Sequence, residues 1–98
     1  MAGFPIRQKD FKFKIVVEHG YAELQTTTRQ INCEVFESSD KNLTPQRYIF
    51  IIPYLWNVTP EEHAYSMNAI FKELGKQGFG ITSYQNEKPK ELIIKAVR

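Results

Sequence analysis

The sequence predicts an α+β fold, a two-layer sandwich in which one helix packs on one face of a mostly antiparallel sheet. Several short segments alternate apolar and polar side chains with a period of two, which is typical of strands with one buried face. A single later segment combines a helix-start signal with apolar residues at helical spacing. The 98 residues fit one domain, 1–98, which begins with an irregular N-terminal arm over residues 1–10.

Four strands are predicted before the helix. In the first, the odd-numbered side chains are apolar, whereas Lys12 and Lys14 point to the opposite side. Gly20 follows in a tight turn, since glycine tolerates a positive φ. A polar loop over residues 37–46 separates the third strand from the fourth. The four predicted strands are FKFKIVVE (11–18), YAELQTT (21–27), INCEVF (31–36) and RYIFIIPYLW (47–56).

The helix is predicted to begin after Thr59. Thr59 and Glu62 have the spacing of a capping box, and Pro60 occupies the first helical position, where its missing N–H costs nothing. We expect the helix to end at Gly78. The predicted apolar stripe comprises Ala64, Met67, Ile70, Phe71 and Leu74, with Tyr65 and Ala69 outside it. A second hairpin, FGITSYQ (79–85) and ELIIKAVR (91–98), completes the order β-β-β-β-α-β-β.

Composition and charge narrow the classes of function. A hydrophobic fraction of 42% argues against a disordered chain. The formal charge of +2 is too small to demand a nucleic acid or an anionic membrane. Cys33 is the only cysteine, so no internal disulfide forms, which fits a reducing compartment. The sequence shows neither a secretory signal nor a membrane span, so we expect a cytoplasmic protein without a membrane partner.

The sequence carries no recognisable catalytic, cofactor or metal motif, so we predict that the chain is not an enzyme and needs no cofactor. His19 and His63 are scattered and make no ligand cluster. Cys33 is interpreted as a small core residue, because nothing near it in sequence would lower the pKa of its thiol. If the chain were an enzyme, His63 with Tyr84 or Cys33 would be the nearest candidate group.

The fourth strand raises the question on which the predicted function depends. Its side chains are apolar on both sides, and one helix covers only one face of a sheet. Pro53 cannot donate a ladder hydrogen bond, which predicts an edge strand or a bulge. By parity the strand has an aliphatic side, Ile49, Ile51, Pro53 and Leu55, and an aromatic side, Tyr48, Phe50, Ile52, Tyr54 and Trp56. We expect the helix to cover the aliphatic side.

Two interpretations of the aromatic side remain open at this point. Either the arm with Phe4 and Ile6, or the loop with Leu43, folds over it, or it stays open and binds a protein. The second interpretation predicts a non-catalytic protein–protein interaction module, an assembly component or small inhibitor of the kind that a virus or mobile element could encode. Its partner is another protein or a second copy of the chain. The predicted contact residues are Tyr48, Phe50, Tyr54, Trp56 and Tyr65.

A single-stranded nucleic-acid-binding domain is the alternative. Lys12 and Lys14 would contact phosphates, and outward aromatic rings would stack on bases. Glutamates are interspersed among the same strands, which makes this alternative weaker than the protein-binding hypothesis.

Overall fold

A computed structural model describes residues 5–53, 59–87 and 91–98 of the chain. Within these residues, six strands form one antiparallel sheet and one α-helix packs against it, which confirms the predicted fold class and element order. The elements are β1 (Lys12–Val16), β2 (Tyr21–Gln25), β3 (Gln30–Glu37), β4 (Arg47–Pro53), α1 (Pro60–Lys76), β5 (Gly80–Glu87) and β6 (Glu91–Val97). The strands lie in the order β1-β2-β3-β4-β6-β5, so β1 and β5 are the two edges of the sheet.

The turn between β1 and β2 depends on Gly20, as predicted. A short 3₁₀ turn, Val17–His19, ends at Gly20, whose φ of 63° lies in the left-handed region. The carbonyl of Gly20 accepts a hydrogen bond from the N–H of Val35 at 3.2 Å. A Cβ at this position would also lie 3.2 Å from the Val35 carbonyl oxygen, so both the conformation and the space favour glycine.

Both ends of α1 follow the predicted signals. The N–H of Glu62 donates to the Thr59 hydroxyl at 3.1 Å, and the Glu62 carboxylate accepts from the Thr59 N–H at 3.2 Å, which completes the capping box. At the other end Gly78 has a φ of 86°. The N–H groups of Gly78 and Phe79 donate to the carbonyls of Gly75 and Leu74, the pattern of a Schellman motif.

The core lies between α1 and the sheet face that α1 covers. Leu24, Phe50 and Ile94 are completely buried there, and each such side chain contributes about 1.5–3 kcal/mol when removed from water. Phe79, which follows the helix, packs edge to face on the rings of Tyr48 and Phe50 at centroid distances of 5.0 and 5.1 Å. These contacts join β4 to the segment that follows the helix.

The buried face of α1 differs from the predicted stripe. Ala64 is exposed, whereas Ser66 and Ala69 are buried and Tyr65 is half-buried against the core. The predictions for Ala64, Tyr65 and Ala69 were therefore wrong. The small side chains of Ser66 and Ala69 let the helix backbone approach the sheet closely, so the helix turns this side inward. The spacing of large apolar residues alone does not identify a packing face made of such small side chains.

Pro53 occupies a position other than the predicted edge or bulge. It is the last residue of β4, which lies inside the sheet between β3 and β6. The pairing of β4 with β3 ends at Ile51, so Pro53 has no β3 partner to which an N–H would donate. The irregularity in the described sheet pairing lies instead in β5, between Ile81 and Ser83.

Candidate docking surface

The aromatic side of β4 faces the helix, not the open side of the sheet. Tyr48 is 5% exposed and Phe50 is 0% exposed. The predicted outward placement of these two residues was wrong, and neither is accessible to a partner. The larger rings fill the space between the sheet and α1, where Phe79 packs on both of them. Ile49 and Ile51 of β4 take the opposite face, whereas Ile52 is buried beside the rings.

Of the remaining predicted contact residues, Tyr65 is the one that the described part of the chain includes. Tyr54 and Trp56 lie outside the described residues. Tyr65 is half-buried at the margin of the core, with its ring centroid 5.4 Å from that of Phe11. Its backbone carbonyl accepts a hydrogen bond from the side chain of Gln8 at 3.1 Å, so this part of α1 is held against the N-terminal segment.

We use the name outer face for the sheet face that points away from α1. Directly opposed residues in neighbouring strands share a face, so the register identifies its members. Ile49 is opposed by Phe36 on one side and Lys95 on the other, and Ile51 is opposed by Ile93. The apolar strip of the outer face consists of Phe36, Ile49, Ile51, Ile93 and Val97.

This apolar strip is accessible in the described structure. Phe36 is 49% exposed and Ile49 is 37% exposed, while Ile51, Ile93 and Val97 are half-buried by their neighbours. The strip crosses β3, β4 and β6, which are adjacent strands at the centre of the sheet. By register Phe36, Ile49, Ile51 and Ile93 form a contiguous surface, and Val97 adjoins it diagonally from Ile49.

Charged side chains surround the apolar strip unevenly. Arg47 and Lys95 are exposed towards the end of the outer face where β4 begins. Glu91 lies at the other end, opposite Pro53, and Glu34 is exposed beside Ile51. Along β4 and β6 the outer face is therefore basic at one end and acidic at the other.

The part of the outer face near β1 is polar. Lys12 and Lys14 are exposed on it, as the alternation predicted. The Tyr21 hydroxyl lies 2.6 Å from a carboxylate oxygen of Glu23 and 3.2 Å from the side-chain oxygen of Asn32. The hydrogen bond to Glu23 raises the pKa of Tyr21 above its usual value, which keeps the phenol protonated as a donor.

The candidate reactive residues occupy separate parts of the fold. Cys33 is buried in the core, as predicted, and desolvation raises the pKa of its thiol to about 12. The thiol is therefore protonated at neutral pH. His63 lines a small cavity between α1 and β4 beside Ser66, and neither Cys33 nor Tyr84 contributes to its lining. No metal-binding cluster of three or more histidine, cysteine or acidic residues occurs in the described ranges.

Sequence reasoning missed the apolar strip although part of the signal was present. The alternation that placed Cys33 and Val35 on the core side of β3 also put Phe36 on the opposite side. In β6 the charged Lys95 marks the solvent side, and Ile93 and Val97 share its parity. The missing information was the pairing register, which places Ile49 and Ile51 beside these residues.

Comparison with protein-family models, with curated proteins and with solved structures found no significant match. None of the helices in the described part of the chain has the length and hydrophobicity that crossing a bilayer requires.

Proposed function

We propose that this chain is a non-catalytic protein-interaction module that associates with a second copy of itself through the outer face. The observation that carries the proposal is the apolar strip, in which Phe36 and Ile49 are 49% and 37% exposed. Single exposed apolar residues are ordinary, but a contiguous apolar surface bordered by charges is typical of protein contact sites.

The distribution of charge favours a second copy as the occupant. Two sheets that pack face to face are related by a two-fold axis lying between them. An axis that runs across the strands reverses their direction, so the basic end of one copy lies over the acidic end of the other. Arg47 of each copy then approaches Glu91 of its partner, and the two apolar strips meet at the centre.

The size of the outer face is adequate for this contact. Six strands spaced about 4.8 Å apart, with about seven residues each rising about 3.3 Å, span roughly 600 Å². A standard interface buries about 800 Å² of accessible surface on each partner, which is of the same order. We expect a reversible dimer rather than an obligate one, because the strip covers only part of the face.

Sedimentation equilibrium with charge-exchanged variants tests this arrangement. We expect the wild-type chain to show a concentration-dependent dimer. Arg47→Glu and Glu91→Arg should each weaken it, because each change places like charges together across the interface. The variant that combines both changes should recover much of the lost association, since it restores opposite charges.

A wild-type chain that remains monomeric at millimolar concentration would contradict the proposal. So would a double variant that associates no better than the weaker single variant. Adding a single-stranded oligonucleotide to the same samples tests the alternative with Lys12 and Lys14, whose binding should fall steeply as salt is raised. This alternative remains a prediction, and it is weakened by Glu23, Glu34 and Glu91 on the same face.

A further inference from the structure

We infer that the groove between β1 and α1 binds an acidic extended peptide, which adds to the sheet as a strand beside β1. This site is separate from the apolar strip and does not depend on self-association. Three features of the described residues carry the inference: an unpaired strand edge, an apolar floor beside it, and lysines from two different elements that border the edge and the groove.

The first feature is the edge of β1. This strand pairs with β2 on one side, and among residues 5–53, 59–87 and 91–98 no strand pairs with its other side. Alternate residues of β1 therefore present N–H and C=O groups away from β2. An extended peptide satisfies such groups by forming ladder hydrogen bonds, which is the established mode of β-strand addition.

The second feature is the shape and floor of the groove. An open cavity of about 440 Å³ runs along the edge of β1 and the facing side of α1. Phe11, Phe13 and Ala69 line its floor and are buried, and half-buried Ile15 continues this apolar surface. Every second side chain of an added strand would point towards this floor, so the groove offers apolar contacts as well as backbone hydrogen bonds.

The third feature is the charge of the groove walls. Lys72 and Lys76 lie on the last turns of α1, and Lys12 and Lys14 line the strand edge with their side chains on the outer face, beside the position of an added strand; all four are exposed. The acidic residue in the lining is Glu73, which is half-buried and accepts a hydrogen bond from the Gln77 side chain at 2.7 Å. Four lysines against one glutamate select a partner that carries negative charge.

Edge protection alone does not account for these lysines. Lysine on an edge strand discourages pairing with other chains, which is the simplest role for Lys12 and Lys14. The opposite edge, β5, is longer than β1 and has no charged residue over residues 80–86. Lysines that served only to block edges would be needed more on β5. Lys72 and Lys76 are on the helix, where they cannot block a strand edge but can contact a peptide in the groove.

The probe for this site is a short synthetic peptide of alternating glutamate and valine, blocked at both ends. Titration of the full chain by NMR should shift the amide signals of β1 and of the last two turns of α1. A matched peptide with lysine in place of glutamate should bind at least about tenfold more weakly, because its charges repel the groove. A peptide with proline at its central valine should also bind weakly, because proline removes a ladder donor.

Matched protein variants separate this inference from the proposed self-association. Lys72→Gln with Lys76→Gln should weaken binding of the acidic peptide about three- to tenfold and leave self-association unchanged. Arg47→Gln with Lys95→Gln removes the same charge from the outer face. It should weaken self-association and leave peptide binding unchanged.

Three results would overturn the inference. The acidic peptide could fail to bind at millimolar concentration, the lysine peptide could bind as well as the acidic one, or the shifted amides could lie outside β1 and α1. None of these results bears on the outer face, so the two proposals fail independently.

Discussion

The two faces of the sheet carry similar apolar residues, but one face is buried beneath α1 and the other is exposed. Phe50 and Phe36 lie on neighbouring strands, yet Phe50 is completely buried beneath α1 and Phe36 is 49% exposed on the outer face. Ile94 and Ile49 differ in the same way. The position of α1 therefore determines which apolar side chains are buried and stabilise the fold. Those on the outer face remain available for contact.

The largest expected effect comes from exchanging the two phenylalanines for alanine. Phe50→Ala should lower the free energy of unfolding by about 3–5 kcal/mol, because it leaves a cavity in the core. Phe36→Ala should lower it by less than about 1 kcal/mol, since half of the ring is already in water. Urea unfolding of both variants measures the difference, and similar losses for the two would contradict the distinction between the faces.

The pH dependence of the free energy of unfolding tests whether the Cys33 thiol is buried on the face that α1 covers. Burial raises its pKa from the ordinary value of 9.0 to about 12, so the protonated thiol is favoured in the folded state. Stability from this group is complete below pH 9 and is lost as the pH rises from 9 towards 12. Over this range the wild-type free energy of unfolding should fall about 1.4 kcal/mol per pH unit faster than that of Cys33→Ala.

The comparison with Cys33→Ala removes the contributions of tyrosines and lysines that titrate in the same range. Parallel pH profiles for the two proteins would show that the thiol is not desolvated, and the core on this face would be more open to water than described.

A smaller effect is expected when the helix that covers the sheet loses its cap. Thr59→Ala removes the hydroxyl that accepts the Glu62 N–H, so the free energy of unfolding should fall by about 1 kcal/mol. Thr27→Ala, in an exposed turn, is the matched control and should change it by less than about 0.5 kcal/mol. Thermal unfolding of both variants provides the measurement; equal effects would show that the cap does not stabilise α1.

Local signals in the sequence predicted the elements but not the facing of the central strand. Thr59, Glu62 and Gly78 act within a few residues of chain, so their patterns could be interpreted directly. The two sides of β4 are both apolar, and only its register with β3 and β6 distinguishes them. That register depends on the long-range pairing of Ile49 with Phe36 and Lys95, which no local pattern records.

The lack of register information in the sequence also explains why Tyr48 and Phe50 were predicted on the wrong face. An open face opposite the helix was predicted, but its residues were assigned by favouring aromatic side chains at contact surfaces. Tyr48 and Phe50 instead fill the space under α1, and the exposed face carries Ile49 and Phe36. Ring size suits a deep gap between helix and sheet at least as well as it suits a docking surface.

We propose that the outer face, rather than another apolar surface of the described residues, holds two copies together. Its most direct test compares Phe36→Lys with Tyr84→Lys by sedimentation equilibrium. Tyr84 is the matched control, because it is 57% exposed but lies on the helix side of β5, where its ring packs against Phe71. We predict that Phe36→Lys is monomeric at concentrations where wild type and Tyr84→Lys are dimeric. A dimer that survives Phe36→Lys would contradict this proposal, and its loss in Tyr84→Lys would place the contact on the helix side of the sheet.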